Sequence, residues 1–123
     1  MTKQSSGAGA RAEALVSAYL AHHGATDLEA VVGLFDEGAT LEDPVGAPTL
    51  RGRAAIREFY RATHARQGRL VFERVGPVLV QGTELAVHVR ARLEVEAEAR
   101  STDVIYTMVF DGDERIRSLR AFF

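Results

Sequence analysis

The chain contains no cysteine. That excludes disulfides, thiol nucleophiles and cysteine–zinc sites, and it fits a reducing compartment. It also lacks an excess of positive charge: 15 Lys and Arg stand against 17 Asp and Glu, for a formal net charge of −2. Without a basic field, nucleic acid is not an expected partner. No apolar run follows Lys3 and none approaches the length of a membrane span, so neither a secretory signal nor a membrane anchor is expected and the expected compartment is the cytoplasm. No His, Asp and Glu cluster has metal-ligand spacing, no serine sits in a nucleophile elbow, and no glycine-rich loop follows a strand. Neither a metal nor another cofactor is therefore expected.

What remains is ordinary globular composition, 46% hydrophobic and 26% charged over 123 residues. That is enough for one domain with its own core. Residues 1–9 are small and polar and read as a flexible tail, leaving 10–123 as the single domain. From about Ala10 to His23, Ala12, Leu15, Val16, Tyr19 and Leu20 recur at helical spacing, and Gly24 ends the run. Thr26 or Asp27 caps a second helix whose apolar side is Leu28, Val31, Val32 and Phe35. A short strand, Ala39 to Asp43, stops at Pro44, and a third helix with Ile56, Phe59 and Tyr60 on one face runs from Arg53 to His64.

After Gly68 the period changes to two. Leu70–Val80 and Leu85–Ala97 read as long strands joined at Gln81-Gly82. In the second, Leu85, Val87, Val89, Ala91, Leu93, Val95 and Ala97 face one way, and His88, Arg90, Arg92, Glu94, Glu96 and Glu98 the other. A fully polar face indicates an antiparallel sheet open on one side to water or to a partner. Thr102–Phe110 and Arg115–Phe123 complete it, with a turn at Asp111-Gly112-Asp113. Helices first and strands last is an α+β order.

Asp43 is the most informative position. Alternation puts it on the same face as Ala39 and Leu41. If that face is the core, the carboxylate is hard to ionise and becomes a usable base near neutral pH. The plainer reading is a strand-end aspartate that caps the Pro-Val-Gly turn. Tyr19, Tyr60 and Tyr106 each sit on an apolar stripe, where a phenol is either core packing or a donor into a dry pocket. The histidines are weak candidates, although His23 lies four residues after Tyr19 and shares its face.

Taken together, Tyr19 in AYLAHH, the segment LFDEGATLEDPVG ending near Asp43, Tyr60 in IREFYR and the strand pair in DVIYTMVFDGDERI resemble the steroid Δ5-3-ketoisomerases of the NTF2-like superfamily, from about Ala12 to Phe123. The resemblance implies a cone, with a strongly curved mixed or antiparallel sheet wrapped around three N-terminal helices and enclosing a deep apolar pocket. It implies an allylic isomerase for a small apolar ligand, steroid-like or a polycyclic ketone, and a homodimer through the outer sheet face. By the same matching Asp43 is the proton-carrying base, Tyr19 the hydrogen-bond donor to the dienolate oxygen, and Tyr60 its support. Val89, Ala91, Val104, Leu119 and Phe123 line the pocket. Two positions depart from the family. Its protonated aspartic acid falls where this chain has Tyr106, a phenol that can also donate, and Phe35 stands in place of a third tyrosine. A polyketide cyclase, an epoxide hydrolase or a non-catalytic ligand-binding module on the same fold are the alternatives, since such cones host many functions.

Overall fold

The computed structural model describes residues 3–94 and 101–123. Helix α1, Lys3–Gly24, turns Ala12, Leu15, Val16, Tyr19, Leu20 and His23 inward, none more than 9% exposed. It begins seven residues before the expected start near Ala10 and takes in the segment expected to be a flexible tail. Extending an existing helix carries no nucleation penalty, and Gln4, Ala8 and Ala10 are good helix formers. Gly24 ends α1 against the next layer: a Cβ there would lie 2.7 Å from the Leu70 carbonyl oxygen.

Helix α2, Leu28–Gly33, is capped by Asp27, whose side chain accepts the Ala30 N–H. It stops short of Phe35. The Leu34 carbonyl accepts the Ile116 N–H at 2.8 Å, which draws the chain into the sheet, so Phe35 opens strand β1, Phe35–Glu42, while remaining fully buried. A two-residue strand β2, Leu50–Arg51, and helix α3, Arg53–Gln67, follow, with Ile56, Tyr60 and Thr63 buried on α3.

The single strand expected over Leu70–Val80 is two, β3 at Leu70–Arg74 and β4 at Leu79–Gln81. Gly76-Pro77 separates them, and proline has no N–H to continue a ladder. Both pair antiparallel with β5, Glu84–Leu93, β4 with its first residues and β3 with its last. The expected continuation of β5 to Ala97, with Val95, Glu96 and Glu98, lies outside the described residues. Strands β6, Thr102–Phe110, and β7, Ile116–Phe122, complete a sheet of order β2-β1-β7-β6-β5-β3. All its pairings are antiparallel except β1 with β7. The sheet is therefore mixed, as the cone implied by the resemblance allows.

The three helices and the curved, unclosed sheet share one core. Along β5 and β6, Leu85, Val87, Val89, Val104, Tyr106, Met108 and Phe110 point into it, while Arg90, Asp103 and Ile105 point out. Phe110 is 2% exposed and Leu79 is 67% exposed. Phe110→Ala should therefore lower the unfolding free energy by about 3–5 kcal/mol, and Leu79→Ser should change it by less than about 0.5 kcal/mol, both read by urea titration.

Candidate functional site

Between α1, α3 and the open end of the sheet lies a cavity of about 680 Å³. That is within the usual range for a small-molecule site. Its wall takes Phe59, Thr63, Arg66 and Gln67 from α3, Leu70 and Phe72 from β3, and Ala91, Arg92 and Leu93 from β5. Thr102, Val104 and Tyr106 of β6, with His23, Asp43, Pro44 and Phe123, close it.

Asp43 follows the last residue of β1. It keeps the inward parity of Ala39 and Leu41, each 1% exposed, and is half-buried itself. Its carboxylate makes no hydrogen bond to a described residue. Burial alone pushes its pKa from 3.8 up to about 6, because no cation or donor offsets the lost water. The alternative role as a turn cap is filled by a neighbour: the Glu42 carboxylate accepts the Gly46 N–H at 3.1 Å and the Arg120 Nε–H at 2.8 Å. Among the described residues that line the cavity, Asp43 is the one carboxylate.

Three phenols stand next to it. The Tyr19 and Tyr60 hydroxyls share a hydrogen bond of 2.7 Å, and both residues are 0% exposed. Tyr106 packs edge-on against Tyr19 with ring centroids 5.2 Å apart. It is the tyrosine that reaches the cavity wall, with Tyr19 and Tyr60 behind it. Burial, above all, and then the negative charge of Asp43 hold the Tyr106 phenol well above its ordinary range. For Tyr60 the order of causes is the same; for Tyr19 burial comes first, then Tyr106, Tyr60 and Asp43. All three are neutral donors at physiological pH.

The structure thus brings Asp43, Tyr19, Tyr60 and Tyr106 together. Of the expected lining residues, Ala91, Val104 and Phe123 border the cavity. Val89, Leu119 and Phe35 are fully buried in the core behind it. Arg92, expected on the outer face, lines the cavity, because its long side chain is exposed one residue before the end of β5. Asp103 faces outward as its parity requires, with His88 Nε2 at 2.9 Å and Arg90 Nε at 3.1 Å.

Residues not singled out in the sequence also belong to the wall. Phe59, Thr63, Arg66 and Gln67 follow an i, i+4, i+7, i+8 stripe along α3, and that period was the available signal. His23, 5% exposed, has its Nδ1 at 3.1 Å from His64 Nε2. No group of His, Cys, Asp and Glu suited to a metal ion occurs among the described residues, and no described helix is long and apolar enough to cross a membrane.

In one cavity a half-buried, unpaired carboxylate can take a proton from carbon while a neutral phenol on the wall offers a hydrogen bond to an oxygen that becomes negative. The chain is similar to known proteins. A steroid Delta-isomerase of Nocardioides simplex is 37% identical over 117 residues, which cover 92% of this chain and 89% of that protein. Residues 16–119 match the SnoaL-like domain family, a span that holds the cavity wall from His23 to Tyr106, and the chain belongs to that family.

Proposed function

We propose that the protein is a steroid Δ-isomerase that moves a proton along a β,γ-unsaturated 3-ketosteroid or a similarly flat enone, with Asp43 as base. The observation that carries this reading is the half-buried Asp43 carboxylate, lifted to about 6 by burial alone, beside the Tyr106, Tyr19 and Tyr60 cluster. The named activity of the Nocardioides simplex relative supports the same assignment.

In this mechanism the Asp43 carboxylate removes a proton from C4, and the C–H electron pair conjugates into a dienolate. The oxygen that takes the negative charge accepts a hydrogen bond from Tyr106 on the cavity wall, and Tyr19, held by Tyr60, supports that phenol from behind. Protonated Asp43 then returns the same proton to C6, giving the conjugated enone and regenerating the carboxylate. Desolvation serves both halves of the cycle. It raises the basicity of Asp43 and strengthens each hydrogen bond to the developing oxyanion. Epoxide hydrolysis needs a second carboxylate, and the described cavity wall holds one.

The reading also includes a homodimer through the outer sheet face. Ile105 and Phe122 are register partners there, 45% and 38% exposed, and His88, Arg90, Asp103 and Arg120 surround them. An exposed apolar pair ringed by charges of both signs suits a self-complementary contact. Sedimentation should give a dimer at micromolar concentration, and Ile105→Arg should give a folded monomer. A wild-type monomer rejects the assembly.

Ultraviolet absorbance of the enone product measures turnover directly. Asp43→Asn should cut kcat by at least about 10²-fold, and kcat/KM of the wild type should fall as pH drops below about 6, since the base works only when ionised. Stability moves the opposite way. Asp43 has a raised folded pKa, so the fold binds its proton more tightly than the unfolded chain does between 3.8 and about 6. The penalty is complete above the folded value and vanishes below the unfolded one. Asp43→Asn should therefore stabilise the protein at pH 8 by up to about 3 kcal/mol and leave it unchanged near pH 3. A variant that keeps more than about a tenth of the wild-type rate rejects Asp43 as base.

Tyr106→Phe and Tyr19→Phe each remove one oxygen and keep the packing. Each should lower kcat by about 10²–10³-fold with little change in KM. An unchanged kcat in Tyr106→Phe would make Tyr106 a wall of the cavity and leave Tyr19 as the donor.

A further inference from the structure

His23 and His64 are not used by this mechanism, and their geometry assigns protons. The Nδ1 of His64 is sealed from solvent and has no partner among the described residues. A buried N–H without an acceptor is rarer than an under-satisfied lone pair, so His64 carries its proton on Nε2 and donates it to His23 Nδ1 at 3.1 Å. His23, accepting there, must carry its own proton on Nε2. Burial first, and then the His64 ring stacked at 5.3 Å, hold the His23 pKa down to about 4. The ring is therefore a neutral donor at pH 7.

That donor opens onto the cavity. His23 lines it, its Nε2 bonds to no described residue, and that atom is not among the sealed, partnerless ones. Thr63 is in the same position. It is 6% exposed, borders the cavity, and its hydroxyl has no partner among the described residues yet is not sealed. Both line the cavity, and Thr63 is the residue before His64 on α3. A row of rings fixes where this stretch lies. Tyr106 packs on Tyr19, His23 lies 5.5 Å from Tyr19 and 5.2 Å from Tyr60 and touches His64 and Phe72, and among the described residues no ring contact joins His23 to Tyr106 itself. The charge of Asp43 bears on the three phenols, whereas the charge felt by His64 is that of Asp27.

We infer that His23 and Thr63 form a second polar station in the cavity, away from the reacting enone, which selects ligands that carry a further oxygen acceptor such as a ketone. The inference rests on the isomerase reading for the ligand class and concerns a different part of the ligand. Two empty donor positions in a buried wall favour a ligand oxygen over a plain hydrocarbon, because the hydrocarbon leaves both unsatisfied.

Calorimetry on the full chain tests it, using conjugated 3-ketosteroids with no other oxygen and their counterparts with one added ketone on ring C or ring D. At least one diketone should bind roughly tenfold tighter than the monoketone. His23→Phe should bring its Kd to that of the monoketone, and Thr63→Val, a near-isosteric change that tests the station if the first variant fails to fold, should remove part of the gain. Nitrogen NMR of the wild type should show His23 as the neutral Nε2–H tautomer at pH 7. Equal Kd values for all ketones, binding of none, a gain that survives both variants, or an Nδ1–H tautomer would each overturn the station. Turnover of a Δ5-3-ketosteroid is measured separately. Selective diketone binding without turnover removes the isomerase and keeps the station; turnover without selectivity does the reverse.

Discussion

Asp43 leaves the end of β1 on the inward side, and among the described residues no cation and no hydrogen-bond donor bonds to its carboxylate, so burial alone acts on it. Structural carboxylates elsewhere in this chain are treated differently. Glu13, Glu29, Glu42 and Glu58 each meet an arginine, which draws their pKa values down. Arg66 and Arg92 are the cations among the described residues that line the cavity; both are exposed, and neither bonds to Asp43. A carboxylate left unpaired in a partly dry site destabilises the fold at neutral pH. The arrangement is understandable when that carboxylate has a proton to accept.

The phenols follow from the same constraint. Charge that develops near Asp43 during proton transfer must be met by groups that stay neutral beforehand, because a fixed cation would pair with Asp43 and remove its basicity. Buried tyrosines fulfil this condition, since their own ionisation is suppressed by burial and by the carboxylate together. The Tyr19–Tyr60 hydrogen bond satisfies two hydroxyls that would otherwise be stranded in the core. It also anchors α1 to α3 at the level of the cavity, so one contact supports packing and donor placement at once.

Most of the architecture was legible in periodicity. The stripe of α1, the parity of β5 and β6, the outward Asp103 and the inward Asp43 all follow from spacings of 3.6 and two. The misreadings have local causes. The start of α1 was missed because its first turns carry no apolar period. Phe35 was placed on a helix because Val31, Val32 and Phe35 fit a helical face, whereas a backbone bond from Ile116 to Leu34, 82 residues away in sequence (116 − 34), decides where the sheet begins. Which strands pair, and that β1 runs parallel to β7, is likewise a long-range property that no window contains. At the site, Asp43 and the tyrosines could be named from the sequence. The division between the cavity-facing Tyr106 and the sealed Tyr19 could not, because it depends on how deeply α1 sinks into the sheet.

The histidines illustrate what spacing does and does not carry. His23 lies one turn beyond Tyr19 and must share its face, so its burial follows from the helix alone. Its chemistry does not. The tautomer of a buried imidazole is set by its hydrogen-bond partner, and 41 residues separate His23 from the ring that decides it. His64 comes to His23 because Gly24 lets α1 end flush against Leu70 and because the α3 stripe that packs Tyr60 against Tyr19 presents His64 one turn later. The helix-to-helix contact that fixes the phenols therefore also fixes the imidazole pair. A change at Tyr60 that shifts α3 would disturb both ends of the cavity together, whereas Thr63→Val, which leaves the packing in place, would be felt at one end alone.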